Sequence, residues 1–303
     1  MAGLPPAPPP AHAQPSHAVP ANPASVPRPD RPSSGAGTGR SRTPGTGRPR
    51  HFRLGDGYIL STGRYLTLCA VSLMLALAGA SSFLLTLGEV LHGQGVAAAD
   101  RPMTDWFVDH RTAAATAVLA GLAFVFGPLA LPVITLVATT GWALLTRRLW
   151  RPLLLAGSML TGVIVTEVIA HAIGRSRPPT ALMMLGADAT SSFPSGHVVG
   201  ASNFLLIGAY LLFSRSSRTL SVILAFAAAA GGLALEAASR VYLGYHWFTD
   251  TLASASISVV LLAVVIMLDI SRGGQRQNSE GSPNPGTVAY PQIKRDTGKD
   301  NHG

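Results

Sequence analysis

The stretch YLTLCAVSLMLALAGASSFLLTL, residues 65–87, contains no charged side chain and no proline. An α-helix needs about 20 consecutive apolar residues to cross the hydrocarbon core of a bilayer, and this stretch provides them without interruption. A helix that is apolar on all sides belongs either in the core of a large protein or in a membrane. The stretch therefore favours an integral membrane protein.

Further apolar runs follow the first one along the chain. They comprise residues 113–145, 152–173, 198–213, 220–238 and 251–268. Each run suits a helix that crosses the membrane or lies along its surface. The sequence therefore predicts an all-α membrane protein built as a six-transmembrane-helix bundle.

The run at 113–145 is too long for one straight span, and it contains Gly127, Pro128 and Pro132. We expect an interfacial helix at 113–126 and a crossing at 128–145. With this division the basic clusters of the tails and loops all fall on one side, as the positive-inside rule requires. Both termini are then cytoplasmic and the ends of spans three to six that carry the site face outward.

The composition agrees with a membrane protein. Only 12% of the residues are charged, against about 25% in soluble domains. The net charge is +9, and the only two lysines are Lys294 and Lys299. The arginines lie in the tails and between apolar runs instead of on one folded face, which argues against nucleic-acid binding. The single cysteine, Cys69, excludes an intramolecular disulfide framework.

Two polar tails flank the apolar region. Residues 1–55 are rich in proline and arginine and are predicted to form a disordered cytoplasmic tail. Residues 271–303 are predicted to form a second, flexible cytoplasmic tail. The membrane domain is therefore placed at residues 56–270.

Three outer segments carry most of the unusual polarity. They are Gly-Arg-Ser-Arg-Pro at 174–178, Ser-Ser-Phe-Pro-Ser-Gly-His at 191–197, and the stretch at 239–250. Arg175, Arg177 and Arg240 in these segments lie on the outer side, against the orientation rule. Ionisable groups at such positions are candidates for function.

The residue types in these segments suit a phosphate site. Arginine offers a planar fork of donors that matches phosphate oxygens, and the start of a helix at Ser195 and Gly196 presents free N–H groups to an anion. His197 and His246 provide groups for acid–base or nucleophilic chemistry near neutral pH. Asp250 follows His246 by four residues and shares its helix face. A metal site with His197, His246 and Asp250 as ligands is the alternative, which the neighbouring arginines disfavour.

The three segments together resemble the signature of the type 2 phosphatidic acid phosphatase superfamily, which contains lipid phosphate phosphatases and vanadium haloperoxidases. That signature is Lys-x6-Arg-Pro, then Pro-Ser-Gly-His, then Ser-Arg-x5-His-x3-Asp. The second motif is matched in full at 194–197, and the third at Ser239, Arg240, His246 and Asp250. The resemblance covers about residues 65–270, and its membrane lipid phosphatase branch fits this apolar chain.

The first motif departs from the family pattern. Arg177 and Pro178 match, but Ala170 occupies the position of the lysine. That lysine helps to hold the phosphate in the family. We expect Arg175 to compensate in part, with His171 as a weaker substitute.

The resemblance implies a role for each matched residue. His246 is the nucleophile that forms a phosphohistidine, Asp250 orients it, and His197 is the general acid and base. The phosphoryl oxygens are bound by Arg177, Arg240, Ser195 and Gly196, with Arg175 as an additional clamp. No metal and no cofactor are implied.

Glu236 precedes Arg240 by one helical turn. An i,i+4 ion pair that fixes the arginine is therefore expected.

The substrate implied is the phosphomonoester or pyrophosphate headgroup of a lipid: a polyprenyl pyrophosphate such as undecaprenyl pyrophosphate, phosphatidate, or phosphatidylglycerol phosphate. The arginine-rich composition suits a bacterial inner membrane protein of the cell envelope. Two alternatives stay open. The first is a catalytically weakened homologue that binds lipid, because Ala170 replaces the family lysine. The second is a lipid phosphotransferase, which would carry the same motifs as a phosphatase.

Overall fold

The structure, a computed structural model, describes residue 54 and residues 60–280. The predicted tail at 1–55 lies outside the described residues except for Leu54, and so does the chain after residue 280. The described residues form helices and loops without a β-strand. The all-α prediction is confirmed.

Eight helices follow one another along the described chain. They are α1 (Thr62–His92), α2 (Asp100–Asp109), α3 (Ala113–Val125), α4 (Ala130–Thr146), α5 (Trp150–Ile173), α6 (Gly196–Phe213), α7 (Thr219–Tyr242) and α8 (Phe248–Glu280). Short 3₁₀ turns at Gly95–Ala99 and Thr180–Leu182 connect some of them. Residues Asn203–Ile207 within α6 form a π-helical segment.

Five of these helices are long and apolar enough to cross a membrane, and the pair α3 and α4 makes a sixth candidate span with a bend of 56°. The bend falls at Gly127 and Pro128, where the sequence predicts a break. Proline cannot donate a backbone hydrogen bond, and its ring clashes with a continuing helix. Five to six candidate spans agree with the predicted bundle.

Helices α1 and α8 pack closely through small residues. A Cβ atom added at Gly79 would lie 2.9 Å from the carbonyl oxygen of Ser256. The hydroxyl of Ser82 lies 2.8 Å from that of Ser256, and the hydroxyl of Ser72 donates to the carbonyl of Ala263 at 2.6 Å. Small and hydroxyl-bearing residues are typical of helix contacts in membranes, because they let the backbones approach.

The buried core lies among α5, α6, α7 and α8. Its members include Leu155, Ile207, Leu211, Ala229 and Ile266. At the end of this core opposite the motif residues, Arg151 of α5 donates to Asp269 of α8 at 2.7 Å. The core fixes the ends of the four helices that carry the three motifs.

Helix α8 is longer than the sequence predicts. The predicted tail begins at residue 271, but the helix continues to Glu280. The guanidinium of Arg272 lies 3.8 Å from the centre of the Trp150 ring. This cation–π contact lies directly after the apolar run. The apolar part of α8 ends at Arg272, next to the predicted boundary, and the stretch predicted to be flexible is helical as far as Glu280.

Candidate active site

A cavity of about 930 Å³ opens between α4, α5 and α6. Its polar end is lined by Arg177, Gly196, His197, Arg240 and His246. Residues from all three motifs therefore meet in one space, although 69 positions separate Arg177 from His246 in the sequence. The remaining walls are largely apolar and belong to α4 and α5.

His246 lies at this polar end and is 2% exposed. Its Nδ1 donates to the carbonyl oxygen of Ser192 at 2.7 Å, and the Arg177 guanidinium lies 3.2 Å from Nε2. Since a carbonyl only accepts and a guanidinium only donates, this network assigns the proton to Nδ1 and a lone pair to Nε2. Burial lowers the pKa of His246 well below its usual range, and the charges of Arg240 and Arg177 lower it further. The imidazole is therefore a neutral base with Nε2 as its nucleophilic atom.

Asp250 is fully buried beside His246. Its Oδ2 lies 3.6 Å from Nδ1 of His246 and accepts the backbone N–H of Trp247 at 2.8 Å. The two residues therefore meet, but not on one helix face as predicted, because His246 lies in the turn before α8 begins at Phe248. The hydrogen bond that fixes the imidazole tautomer, however, is donated by Nδ1 to the carbonyl of Ser192, a backbone group that no sequence motif indicates.

Arg175 does not line the cavity. Its guanidinium donates to Asp250 and to Asp100, the latter at 2.6 Å, and to the hydroxyl of Thr249 at 2.8 Å. The expectation that Arg175 clamps phosphate does not fit this placement. Arg175 is bound instead by two carboxylates, and such charge-assisted hydrogen bonds are strong.

Arg177 lines the cavity and is held from several sides. It donates to the carbonyl and hydroxyl of Thr190, at 3.0 and 2.8 Å, and to the carbonyl of Tyr245 at 2.8 Å. Asp188 lies 3.0 Å from it. Burial lowers the pKa of Arg177, and the charge of Asp188 opposes that change. Asp188 and Thr190 belong to none of the three motifs, so the sequence alone does not indicate them as functional residues.

Arg240 is 5% exposed and lies over the Tyr245 ring, 4.8 Å from its centre. The expected hydrogen-bonded pair with Glu236 is absent, since neither carboxylate oxygen of Glu236 has a hydrogen-bond partner in the described part of the chain. An i,i+4 spacing permits a contact without dictating it. Here the arginine reaches the cavity and the aromatic ring instead.

Helix α6 begins at the polar end of the cavity. Ser195 is fully buried and does not line the cavity, and its N–H donates to the hydroxyl of Ser254 at 2.8 Å. Gly196 and His197 do line it, at the first turn of the helix. A Cβ atom added at Gly127 would lie 3.4 Å from Nε2 of His197, which places this imidazole beside the bend between α3 and α4.

Comparison with known proteins assigns this arrangement to a family. Residues 151–271, from the start of α5 into α8, match the family model described as the PAP2 superfamily. Residues 151–271 therefore form a PAP2 superfamily domain. The resemblance of the three motifs is thereby confirmed.

Two further proteins extend the comparison. Phosphatidylglycerophosphatase B of Bacillus subtilis is 27% identical over 190 residues, which are 60% of this chain and 89% of that protein. The crystal structure of a transmembrane PAP2-type phosphatidylglycerolphosphate phosphatase from Bacillus subtilis is 25% identical, with a TM-score of 0.57. The matched region covers 64% of this chain and 96% of the chain in that crystal structure. This neighbour supports an integral membrane protein with the PAP2 fold.

Ala170, at the place of the PAP2 lysine, lines the cavity together with Glu167 and His171. Nδ1 of His171 lies 2.7 Å from the carbonyl of Glu167, and both side chains are largely exposed. The cavity wall at this point therefore carries a carboxylate and an imidazole where the family pattern provides an ammonium group. Arg175 does not line the cavity, and His171 is largely exposed at its wall. Neither of the two predicted substitutes for the lysine therefore lies among the buried residues of the phosphate site.

The metal alternative finds no support in the arrangement of ligands. Among the described residues, no group of three histidine, cysteine, aspartate or glutamate side chains could hold a metal ion. His197, His246 and Asp250 do not form such a group.

Proposed function

We propose that this PAP2 protein is an integral-membrane phosphatase that hydrolyses the phosphate or pyrophosphate headgroup of a lipid through a phosphohistidine on His246. The observation that carries the proposal is the Nε2 lone pair of His246, which lies at the polar end of a lipid-sized cavity. Arg177 and Arg240 flank it. A nucleophile beside two guanidinium groups is suited to phosphoryl transfer.

In the first step, Nε2 of His246 forms a bond to phosphorus while the bond from phosphorus to the lipid oxygen breaks. The leaving oxygen takes a proton from His197. A phosphoryl oxygen accepts more strongly than Nε2 does, so it draws the Arg177 donors and frees the lone pair. Arg240 and the N–H groups of Gly196 and His197 stabilise the charge on the transferring group.

In the second step, a water oxygen attacks phosphorus and gives its proton to His197. The electrons of the phosphorus–nitrogen bond return to Nε2, and inorganic phosphate leaves. His246 and His197 are then ready for another cycle. The proposed steps need no metal ion.

The cavity also supports a lipid as the substrate. Its walls extend along α5 from Ala170 to Ala156, which is about 20 Å at 1.5 Å per residue. The wall is mainly apolar below the site; its residues include Leu131, Leu136, Met159, Leu160 and Val163. Since the Bacillus relative is named a phosphatidylglycerophosphatase, phosphatidylglycerol phosphate is the first substrate to test, beside phosphatidate and a polyprenyl pyrophosphate.

The proposed orientation places the site on the outer face of a bacterial plasma membrane and both termini in the cytoplasm. It rests on the basic loops at residues 147–151 and 214–218, which lie at the opposite end of the spans from the motifs. We expect R218C in a C69S background to react with an impermeant maleimide only after the inner face is exposed. Labelling of R218C in intact cells would show that the orientation is the opposite of the one proposed.

The function is tested by purifying the chain and measuring dephosphorylated lipid and free phosphate in the presence of a chelator. We expect turnover with equal amounts of both products. Dephosphorylated lipid in excess of phosphate would identify a phosphotransferase. No turnover on any of the three lipids would favour a lipid-binding homologue, and activity that disappears with the chelator would restore the metal alternative.

We expect A170K to raise kcat/KM about tenfold or more, because one charge-assisted contact to phosphate contributes about 1.5–3 kcal/mol. Position 170 faces the cavity, so the new ammonium group can reach the headgroup. The matched control is A170M, which adds a side chain of comparable length without charge and should bring no gain. A fall in activity with A170K alone would show that the site is adapted to alanine.

A further inference from the structure

A buried carboxylate outside the three motifs contacts Arg175 and Thr249, which lie next to the catalytic residue Asp250. Asp100 is the first residue of α2 and lies outside the family match at 151–271. It is 5% exposed, whereas Asp105 and Asp109 of the same helix are exposed. A carboxylate is seldom buried without partners that compensate its charge.

The partners of Asp100 all belong to the active-site end of the bundle. Oδ1 accepts the backbone N–H of Thr249 at 2.9 Å, and Oδ2 accepts the hydroxyl of Thr249 at 2.7 Å. Oδ2 also accepts a donor of Arg175 at 2.6 Å. Asp100 therefore binds the first turn of α8 and, at the same time, the arginine that contacts Asp250.

Arg175 connects Asp100 to Asp250. One guanidinium nitrogen donates to Asp100, and the other donates to Asp250 and to Thr249. The planar guanidinium holds its donors in a fixed fork. The position of Asp100 therefore fixes the direction from which Arg175 approaches Asp250.

Asp250 passes this constraint to the nucleophile. It lies 3.6 Å from Nδ1 of His246 and accepts the N–H of the adjacent residue Trp247. The chain of contacts runs from Asp100 through Arg175 and Asp250 to His246. Without the charge of Asp100, Arg175 would keep its contacts with Asp250 and Thr249 but would lose one of its two carboxylate partners, and with it the contact that fixes the second side of its fork.

We propose that Asp100 is a positioning residue for the phosphatase reaction, which acts through Arg175 on Asp250 and thereby orients His246. This inference rests on the proposed function. It assigns the outer helix α2 a part in catalysis, and it gives Arg175 a supporting role behind the nucleophile in place of a phosphate contact.

The test is D100N in the full chain, assayed on the lipid that the wild-type protein hydrolyses. Asparagine keeps the shape and an acceptor for Thr249 but removes the charge that binds Arg175. We expect kcat to fall about ten- to hundredfold with KM nearly unchanged, since a small displacement of a reacting group costs up to about hundredfold. D105N, an exposed aspartate on the same helix, is the matched control and should retain wild-type kcat.

Two further measurements separate positioning from general stability. D100E should recover part of the lost kcat, and the thermal midpoint of D100N in detergent should stay near that of D105N. R175Q combined with D100N should be no slower than R175Q alone, because both act through one contact. Equal kcat for D100N and D105N would overturn the positioning role, and so would a loss that follows the thermal midpoint or KM. An inactive wild-type protein would overturn the proposed function and this inference together.

Discussion

H246A is expected to abolish turnover, with a loss in kcat of at least about 10³-fold, because removal of a nucleophile leaves only binding and charge stabilisation. Arg177 and Arg240 remain in the cavity, so the variant should still bind the lipid. The initial rate of phosphate release measures kcat, and lipid binding is followed separately by a direct binding assay. Loss of kcat with retained binding would assign the chemistry to His246.

The matched control is H92A, because His92 is an exposed histidine at the end of α1, far along the chain from every motif. It should keep wild-type activity. A second measurement is chemical: wild-type protein quenched during turnover with labelled substrate should carry a phosphoryl group that acid removes and alkali does not. If H246A kept activity within tenfold of wild type, the nucleophile would lie elsewhere in the cavity.

The spans of the bundle could be predicted because they depend on local composition. An uncharged run of sufficient length must be a helix when it lies in lipid, since every backbone group has to be hydrogen-bonded internally. The bend at Gly127 and Pro128 follows from the same local rules. The contact between Arg272 and Trp150 could not be foreseen, because the two residues are distant in sequence.

The site was predictable only as far as the motifs specify it. The spacing of the third motif places Asp250 beside His246, and the structure agrees. Arg175 and Arg177 look equivalent in sequence, yet Arg177 lines the cavity and Arg175 does not. Arg175 is bound by Asp250 and by Asp100, which lies 75 residues before it, and no local pattern predicts such a distant pairing.

The other site contacts that the sequence does not predict are made by backbone groups and by loop residues outside the motifs. The Ser192 carbonyl fixes the tautomer of His246, and Asp188 with Thr190 holds Arg177. A carbonyl is present at every position, so its use depends on chain geometry and not on residue type. The pair expected between Glu236 and Arg240 forms no hydrogen bond, although the two charges attract each other. Helix spacing brings two side chains within reach, and the surroundings determine their rotamers.

R240M should lower kcat about 10²- to 10³-fold, the range found when one preorganised donor to a developing oxyanion is removed. Arg240 is buried, lies over the Tyr245 ring and lines the cavity together with His246, so its removal leaves Arg177 as the arginine beside the nucleophile. Its loss should also be visible in the pH dependence. The charge of Arg240 helps to lower the pKa of His246, and in R240M that pKa should rise toward its usual range. Protonation then removes the nucleophile at a higher pH, and the acid limb of kcat/KM should move upward.

R240K separates the two effects of this arginine. Lysine keeps the positive charge but lacks the fork of donors, so kcat should fall while the acid limb stays near its wild-type position. R218M, at an exposed arginine next to the start of α7, is the control and should change neither quantity. An acid limb that does not move in R240M would show that His246 is not the group whose protonation limits the reaction at low pH. A kcat of R240M within threefold of wild type would mean that Arg177 and the first turn of α6 hold the phosphoryl group by themselves.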